Sequence, residues 1–169
     1  MSDTSRARDA STRPRLSRMQ ATVSSVGAWL VIFVVIPRAI ARRGRRLGWT
    51  AGRPGLLNRL GVVPVGIGAA GLAWCVAAHY RPGETVELSL VPESLIASGP
   101  YRFSRNPMYV SEQALLVGWV VYFGSPGLLG CTAALAAAMR YAIGREERTL
   151  QTRFGDSWQE YAAKVRRWL

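Results

Sequence analysis

Three stretches without a single charged side chain constrain this chain more than anything else in it. They are Met19–Pro37 (19 residues), Leu60–Tyr80 (21) and Gln113–Met139 (27). An α-helix needs about 20 mostly apolar residues to cross the hydrocarbon core, and a run of about 18 or more without charge is a transmembrane candidate. Helices of water-soluble domains seldom go so far without a Lys or Glu on the wet face. The composition fits the same frame. The chain has 169 residues, 49% of them hydrophobic, yet holds 22 Lys+Arg against 10 Asp+Glu, a formal net charge of +12. A nucleic-acid-binding domain of that charge is hydrophilic on average, and an apolar soluble domain rarely carries it. Segregation of charge and apolar residues along one chain reconciles the two, as in an all-α integral membrane protein.

The organisation follows from that segregation. Residues 1–18, with five arginines among Ser, Thr and Asp, predict a disordered basic arm. Beside a membrane helix such an arm addresses lipid headgroups rather than nucleic acid. Residues 19–59 predict a first membrane helix over about 20–41 and an Arg-rich connection. Arg38 interrupts the small residues a signal-peptidase site would need at Ala39-Ile40-Ala41, so the helix is read as uncleaved. Residues 60–169 form the remaining unit. It opens with a helix over about 60–80, rich in the small residues that let membrane helices approach closely. A polar connection over 81–108 follows, with weak alternation at Thr85–Val91 and His79 at its edge. Gly124-Ser125-Pro126-Gly127 breaks the third stretch, predicting a hairpin of helices over about 108–123 and 127–150. Phe154-Gly155 ends the last of these, and Asp156 with Gln159 makes a capping box for a C-terminal amphipathic helix bearing Trp158, Tyr161, Val165 and Trp168.

The expected architecture is therefore about four transmembrane helices, the last two a hairpin, plus that amphipathic helix. With four spans, the arm, the 81–108 connection and the tail share one side and carry 14 Lys+Arg. The 42–59 connection carries six on the other, with Arg38 at its edge. The majority assigns both termini to the cytoplasm, with the protein in a bacterial inner membrane. The Arg-rich connection is the exception to that count.

Polar and ionisable residues concentrate in two groups that the hairpin would bring together. One is Gly99-Pro100-Tyr101-Arg102-Phe103-Ser104-Arg105-Asn106-Pro107-Met108-Tyr109, followed by Glu112. The other is Arg145-Glu146-Glu147-Arg148, Phe154-Gly155, Tyr161 and Arg166-Arg167-Trp168. Cys75 and Cys131 form no CxxC pair, and no His cluster accompanies them, so no metal site or disulfide framework is expected. An ionisable group at membrane depth is a functional candidate by default, which singles out Glu112.

This ordered pattern resembles the isoprenylcysteine carboxyl methyltransferase and phospholipid methyltransferase superfamily, in the form of its small bacterial members. The resemblance covers roughly residues 60–169. It implies a membrane enzyme that uses S-adenosylmethionine at the cytoplasmic face, between the Arg105–Tyr109 segment and the C-terminal tail, and admits its acceptor from the lipid. Two positions depart from the pattern: Asn106 stands where many members have His, and Ser111 where Gly is usual. The cofactor-binding residues it implies are Gly99, Tyr101, Arg102, Asn106, Pro107, Tyr109, Glu146, Glu147 and Tyr161. Glu112, Arg105 and Asn106 are the candidates for catalysis, and Glu112, Arg140 and Trp168 for holding the acceptor.

Elementary chemistry reaches the same residues. Methyl transfer from a sulfonium depends on in-line positioning more than on acid/base machinery. The cofactor's amino group needs an anion, which Glu146 or Glu147 supplies. Its carboxylate needs donors, available from Arg102, Arg105, Tyr109 and backbone N–H groups near Pro107. Tyr101, Tyr161 or Trp158 can pack on adenine. Glu112 can take a proton from an amine or thiol acceptor, or simply pair with Arg140. The expected partners are membrane lipids and a lipid-like or small hydrophobic acceptor, with O, N or S as the methylated atom and no nucleic acid. Two other readings stand beside this one: an NADPH-dependent membrane reductase of the sterol-reductase type, and a non-enzymatic membrane protein.

Overall fold

The computed structural model describes residues 27–79 and 95–169. The expectations for the basic arm, for the start of the first helix and for Thr85–Val91 lie outside these residues, as does the side chain of His79. The chain divides after Ile36 into two compact units. In the first, helical residues 27–30 lead into a π-helical turn at Val31–Val35, closed by the Ile36 N–H donating to the Val31 carbonyl.

From Ile36 onward the elements run in order. Helix α1 is Ile36–Arg43, strands β1 (Trp49–Thr50) and β2 (Arg53–Pro54) form an antiparallel hairpin, and α2 is the single turn Leu56–Arg59. Helix α3 is Val62–His79, a 3-10 turn covers Gly99–Arg102, and the long helices are α4 (Pro107–Phe123) and α5 (Pro126–Lys164). Two segments are long and apolar enough to cross a membrane, Leu56–Ala78 and Pro126–Lys164. Of the four spans expected, the described residues show these two. Helix α4 has 17 residues, about 26 Å at 1.5 Å per residue, slightly short of a hydrocarbon core of about 30 Å.

Small residues set the spacing of α3 and α4. A Cβ on Gly61 would strike the Gly118 carbonyl, one on Gly68 the Ser111 carbonyl, and one on Gly71 the Ser111 hydroxyl, whereas one on Gly66 would meet nothing. Backbones approach this closely only where side chains are absent, as the small-residue composition of the segment led us to expect. Ser111 fits the same seam because its hydroxyl turns back onto the Pro107 carbonyl at 2.8 Å. At the other end of α4, Gly124 adopts φ +57° and Ser125 caps α5, its hydroxyl accepting from Leu128 N–H at 3.3 Å. This is the break expected at 124–127.

The 42–59 segment differs from expectation. It is not a loose connection but a folded cap over the α4–α5 turn. Leu47 N–H donates to the Gly124 carbonyl at 2.8 Å. Buried Asn58 donates to the carbonyls of Leu47 (3.1 Å) and Val121 (2.9 Å). Trp49 stacks on Phe123 and donates to the Tyr122 carbonyl at 3.0 Å, beside a core of Ala41, Phe123 and Leu128. Backbone carbonyls recruited by one asparagine give no periodic signal, which is why the pattern of Gly, Pro and Arg read as loop.

The C-terminal region also departs in one respect. Gly155, at φ +51° and ψ −121°, bends α5 where a break was expected, and Trp158 and Tyr161 turn inward beyond it. The helix stops at Lys164, however, and Val165 is already extended, so Trp168 lies in a tail rather than on an amphipathic face. The reason is that the last carbonyls are claimed by another segment.

Candidate functional site

That segment is the stretch before α4. Gly99, at φ +61°, opens the 3-10 turn, and Pro100 is buried beneath it. Ser104, almost fully buried, accepts from Asn106 N–H at 3.1 Å and donates to the Arg167 carbonyl at 3.3 Å. Arg105 N–H donates to the Arg166 carbonyl at 2.8 Å, and the Asn106 side-chain amide to the Arg167 carbonyl at 3.1 Å. The Tyr161 hydroxyl donates to the Tyr101 carbonyl at 2.7 Å. Four bonds to main-chain carbonyls therefore lace the end of the chain to residues 101–106. Pro107 then starts α4, where a missing N–H costs nothing in the first turn.

One carboxylate locks the same joint. Glu147, buried on α5, bridges two arginines: its Oε1 lies 3.4 Å from Arg105 Nη1 and accepts from Arg167 Nε at 3.2 Å, while its Oε2 pairs with Arg167 Nη2. The Arg105 guanidinium sits 5.9 Å from the Trp158 ring centre, and its buried Nε has no partner among the described residues. Charge-assisted bonds of this kind are the stronger class, and breaking one leaves a buried charge uncompensated.

Its neighbour Glu146 is arranged differently. It is exposed, and it accepts from the Tyr109 hydroxyl at 3.2 Å. Tyr101 stands within electrostatic reach of the same carboxylate. Burial first, then the nearby Cys75 and Glu146, hold the Tyr101 phenol protonated well above its ordinary range. Arg102 is exposed, its guanidinium 4.7 Å over the Phe103 ring, with no acidic partner among the described residues.

Two further features lie beside this face. Tyr109, Gln113, Ala136, Met139, Arg140 and Trp168 line a pocket of about 190 Å³ between α4, α5 and the tail. Glu112 is buried one turn into α4 and lies within electrostatic reach of Tyr109 and Cys75. It does not line the pocket, and it forms no ion pair with Arg140.

The structure thus brings Gly99, Tyr101, Arg102, Arg105, Asn106, Pro107, Tyr109, Glu146, Glu147 and Tyr161 to one end of the α4–α5 pair. It separates their duties. Arg105, Asn106, Glu147 and Tyr161 are engaged in holding the tail, while Tyr109 and Glu146 bond each other and the exposed Arg102 meets no carboxylate among the described residues. Ser104, Gln113 and Met139 were not anticipated. Ser104 acts through its hydroxyl on a backbone carbonyl, which no residue spacing reveals. Gln113 and Met139 look like ordinary residues of an apolar helix.

The profile of the phospholipid methyltransferase family matches residues 68–157, more than half of the chain. The protein belongs to the phospholipid methyltransferase family. The match runs from Gly68 within α3 through the Gly99–Tyr109 segment and α4 to just past the bend of α5 at Gly155. The family is one of membrane methyltransferases, in keeping with the apolar helices. Among curated relatives, an uncharacterised protein of Haemophilus influenzae is 38% identical over 63 residues, covering 37% of this chain and 100% of that protein. The cobalt-zinc-cadmium resistance protein CzcN of Cupriavidus metallidurans is 31% identical over 144 residues, covering 83% of this chain and 61% of CzcN. The chain thus spans less than two thirds of CzcN. No solved structure is significantly similar. Among the described residues, no group of three or more His, Cys, Asp and Glu side chains is placed to hold a metal ion.

Proposed function

We propose that this phospholipid methyltransferase family member transfers the methyl group of S-adenosylmethionine to a lipid-like or hydrophobic acceptor at the membrane surface. One observation carries the reading. Within the segment the family profile matches, an exposed carboxylate (Glu146), two tyrosines (Tyr101 and Tyr109) and an arginine with no acidic partner among the described residues (Arg102) lie at the same end of the hairpin.

These residues fit the cofactor's zwitterion. Glu146 offers the anion for its amino group, since it is exposed and engaged only by the Tyr109 hydroxyl among the bonds described above, whereas Glu147 is already saturated by two arginines. Arg102 offers a donor pair for the carboxylate, and Tyr101 a flat face for adenine. When bound, S-adenosylmethionine supplies an electrophilic methyl group. The protein's part is to orient it and exclude water. Asn106 and Arg105 act as positioning residues, because their polar groups hold the tail.

The adjoining pocket suits the acceptor. At about 190 Å³ it is smaller than the pockets of roughly 300 Å³ and more that enclose whole drug-sized ligands. It therefore suits part of an amphiphile whose remainder lies in lipid. Arg140 at its rim provides for an anionic group and Trp168 forms a wall. Glu112, a buried carboxylate about one turn along α4 from the pocket-lining Tyr109, is our candidate to take an acceptor proton. Because the cofactor is a cytoplasmic metabolite, this face is placed at the cytoplasmic side of the inner membrane, with the C-terminus there.

Titration calorimetry of the purified full chain in nanodiscs tests the reading. Binding of S-adenosylmethionine and of its demethylated product is expected. Binding of neither overturns it.

A further inference from the structure

The seven arginines of residues 27–79 face no carboxylate within that stretch, because it contains neither Asp nor Glu. Among the described residues, ion pairs form only on Glu147, at the far end of α4. Arg46 is spent internally: its Nε donates to the Ala41 carbonyl at 3.0 Å and its guanidinium lies 4.7 Å over Trp49. Arg42, Arg43, Arg45, Arg53 and Arg59 remain exposed. The exposed Leu56 and Leu57, at 79% and 77%, project beside them where the span Leu56–Ala78 begins.

We propose that the 42–59 cap is a docking platform for anionic phospholipid headgroups. In this arrangement the guanidiniums engage headgroup phosphates and the two leucines enter the acyl region. Charge complementarity selects the occupant, since a cluster of guanidiniums with no carboxylate partner among the described residues, beside a spanning helix, matches phosphate oxygens. Apolar side chains projecting from the same surface suit a lipid leaflet and are disfavoured in water. The folding of the segment adds to this. Arginines that serve only to fix topology need no structure, yet this cap is stapled by Asn58, by the Leu47–Gly124 bond and by the Gly55 N–H to Gly48 carbonyl bond at 2.9 Å. Rigid backing holds the guanidiniums at fixed spacing while leaving their donors outward. The platform lies at the Gly124 end of α4, the length of that helix away from Glu146 and Tyr109, so it is distinct from the cofactor face. It also accounts for the excess of arginine on what the charge count makes the wrong side of the membrane.

Native mass spectrometry of the full chain, released from nanodiscs of mixed phosphatidylglycerol and phosphatidylcholine, tests the proposal. The wild type is expected to retain phosphatidylglycerol in clear excess over its share of the bilayer, and to lose that excess as salt screens the charges. The R42Q/R43Q/R45Q variant should lose the preference, and the corresponding lysine variant should keep most of it. Calorimetry with S-adenosylmethionine should give the same affinity for wild type and both variants, so failure of the proposed activity and failure of the platform are read separately. Retention of both lipids in proportion to the bilayer by the wild type overturns the proposal without any variant. So does an unchanged preference in the glutamine variant, or an acidic polypeptide held on the patch in place of lipid.

Discussion

Glu146 and Glu147 are consecutive, chemically identical and opposite in use. One turns to solvent and meets the Tyr109 hydroxyl; the other is buried between Arg105 and Arg167. The helix alone dictates this, since successive side chains lie about 100° apart around the axis. The two substitutions should therefore separate cleanly. Glu146→Gln removes a hydrogen-bonded charge from the proposed cofactor face and should weaken S-adenosylmethionine binding by roughly ten- to a hundredfold, about 1.5–3 kcal/mol, with little change in thermal stability. Glu147→Gln should instead lower stability by about 1–3 kcal/mol, below the usual cost of breaking a buried pair because Arg167 is half exposed. Calorimetry and thermal unfolding in one detergent check both. Equal effects of the two variants on both readouts would contradict the division of labour. The sequence offered both glutamates as candidates for the anion and left open which of them is engaged within the protein. The difference rests on Arg167, whose identity as a partner depends on where the tail is laid.

At the scale of elements, most of the architecture was visible because it rests on local rules. The charge-free stretches marked α3 and the α4–α5 hairpin, Gly124–Pro126 marked the turn between them, and Gly155 marked the bend. The small residues of α3 are legible in a more demanding way. Gly68 lies where a side chain would strike the Ser111 carbonyl and Leu115 N–H, whereas Gly66 faces open space. Gly68→Val should cost about 1–3 kcal/mol through overpacking. Gly66→Ala should be neutral or stabilise slightly, since alanine is the better helix former. Thermal unfolding separates the two, and similar behaviour would mean that α3 and α4 are not in the close register described. The folded 42–59 cap escaped sequence reading for the opposite reason. Its stability comes from Asn58 reaching carbonyls 11 and 63 residues away, and such contacts leave no periodic trace.

For the whole molecule, the decisive joint is the one between the chain's last residues and the segment before α4. The bonds from Ser104, Arg105 and Asn106 all end on the carbonyls of Arg166 and Arg167. Any residue with a main-chain carbonyl would serve as acceptor, so the tail's docking cannot be read from side-chain identities. Its consequence bears on the proposed site. The tail carries Trp168 to the pocket wall beside Tyr109, and its loss would leave buried donors on Ser104 and Asn106 unpaired. Deleting residues 165–169 should therefore weaken cofactor binding through a loosened 101–106 segment. It should also raise the acceptor KM more than it lowers kcat, because the pocket loses a wall while Glu146 and Tyr109 stay in place. Trp168→Ala alone should reproduce the KM effect and leave cofactor affinity close to that of the wild type. Deleting residues 1–18, none of which is among the residues proposed for the site, should leave cofactor affinity unchanged. Calorimetry on the three variants, followed by kinetics once an acceptor is in hand, orders them. If the arm deletion abolished binding while the tail deletion spared it, the cofactor face would have to be moved away from the end of the hairpin.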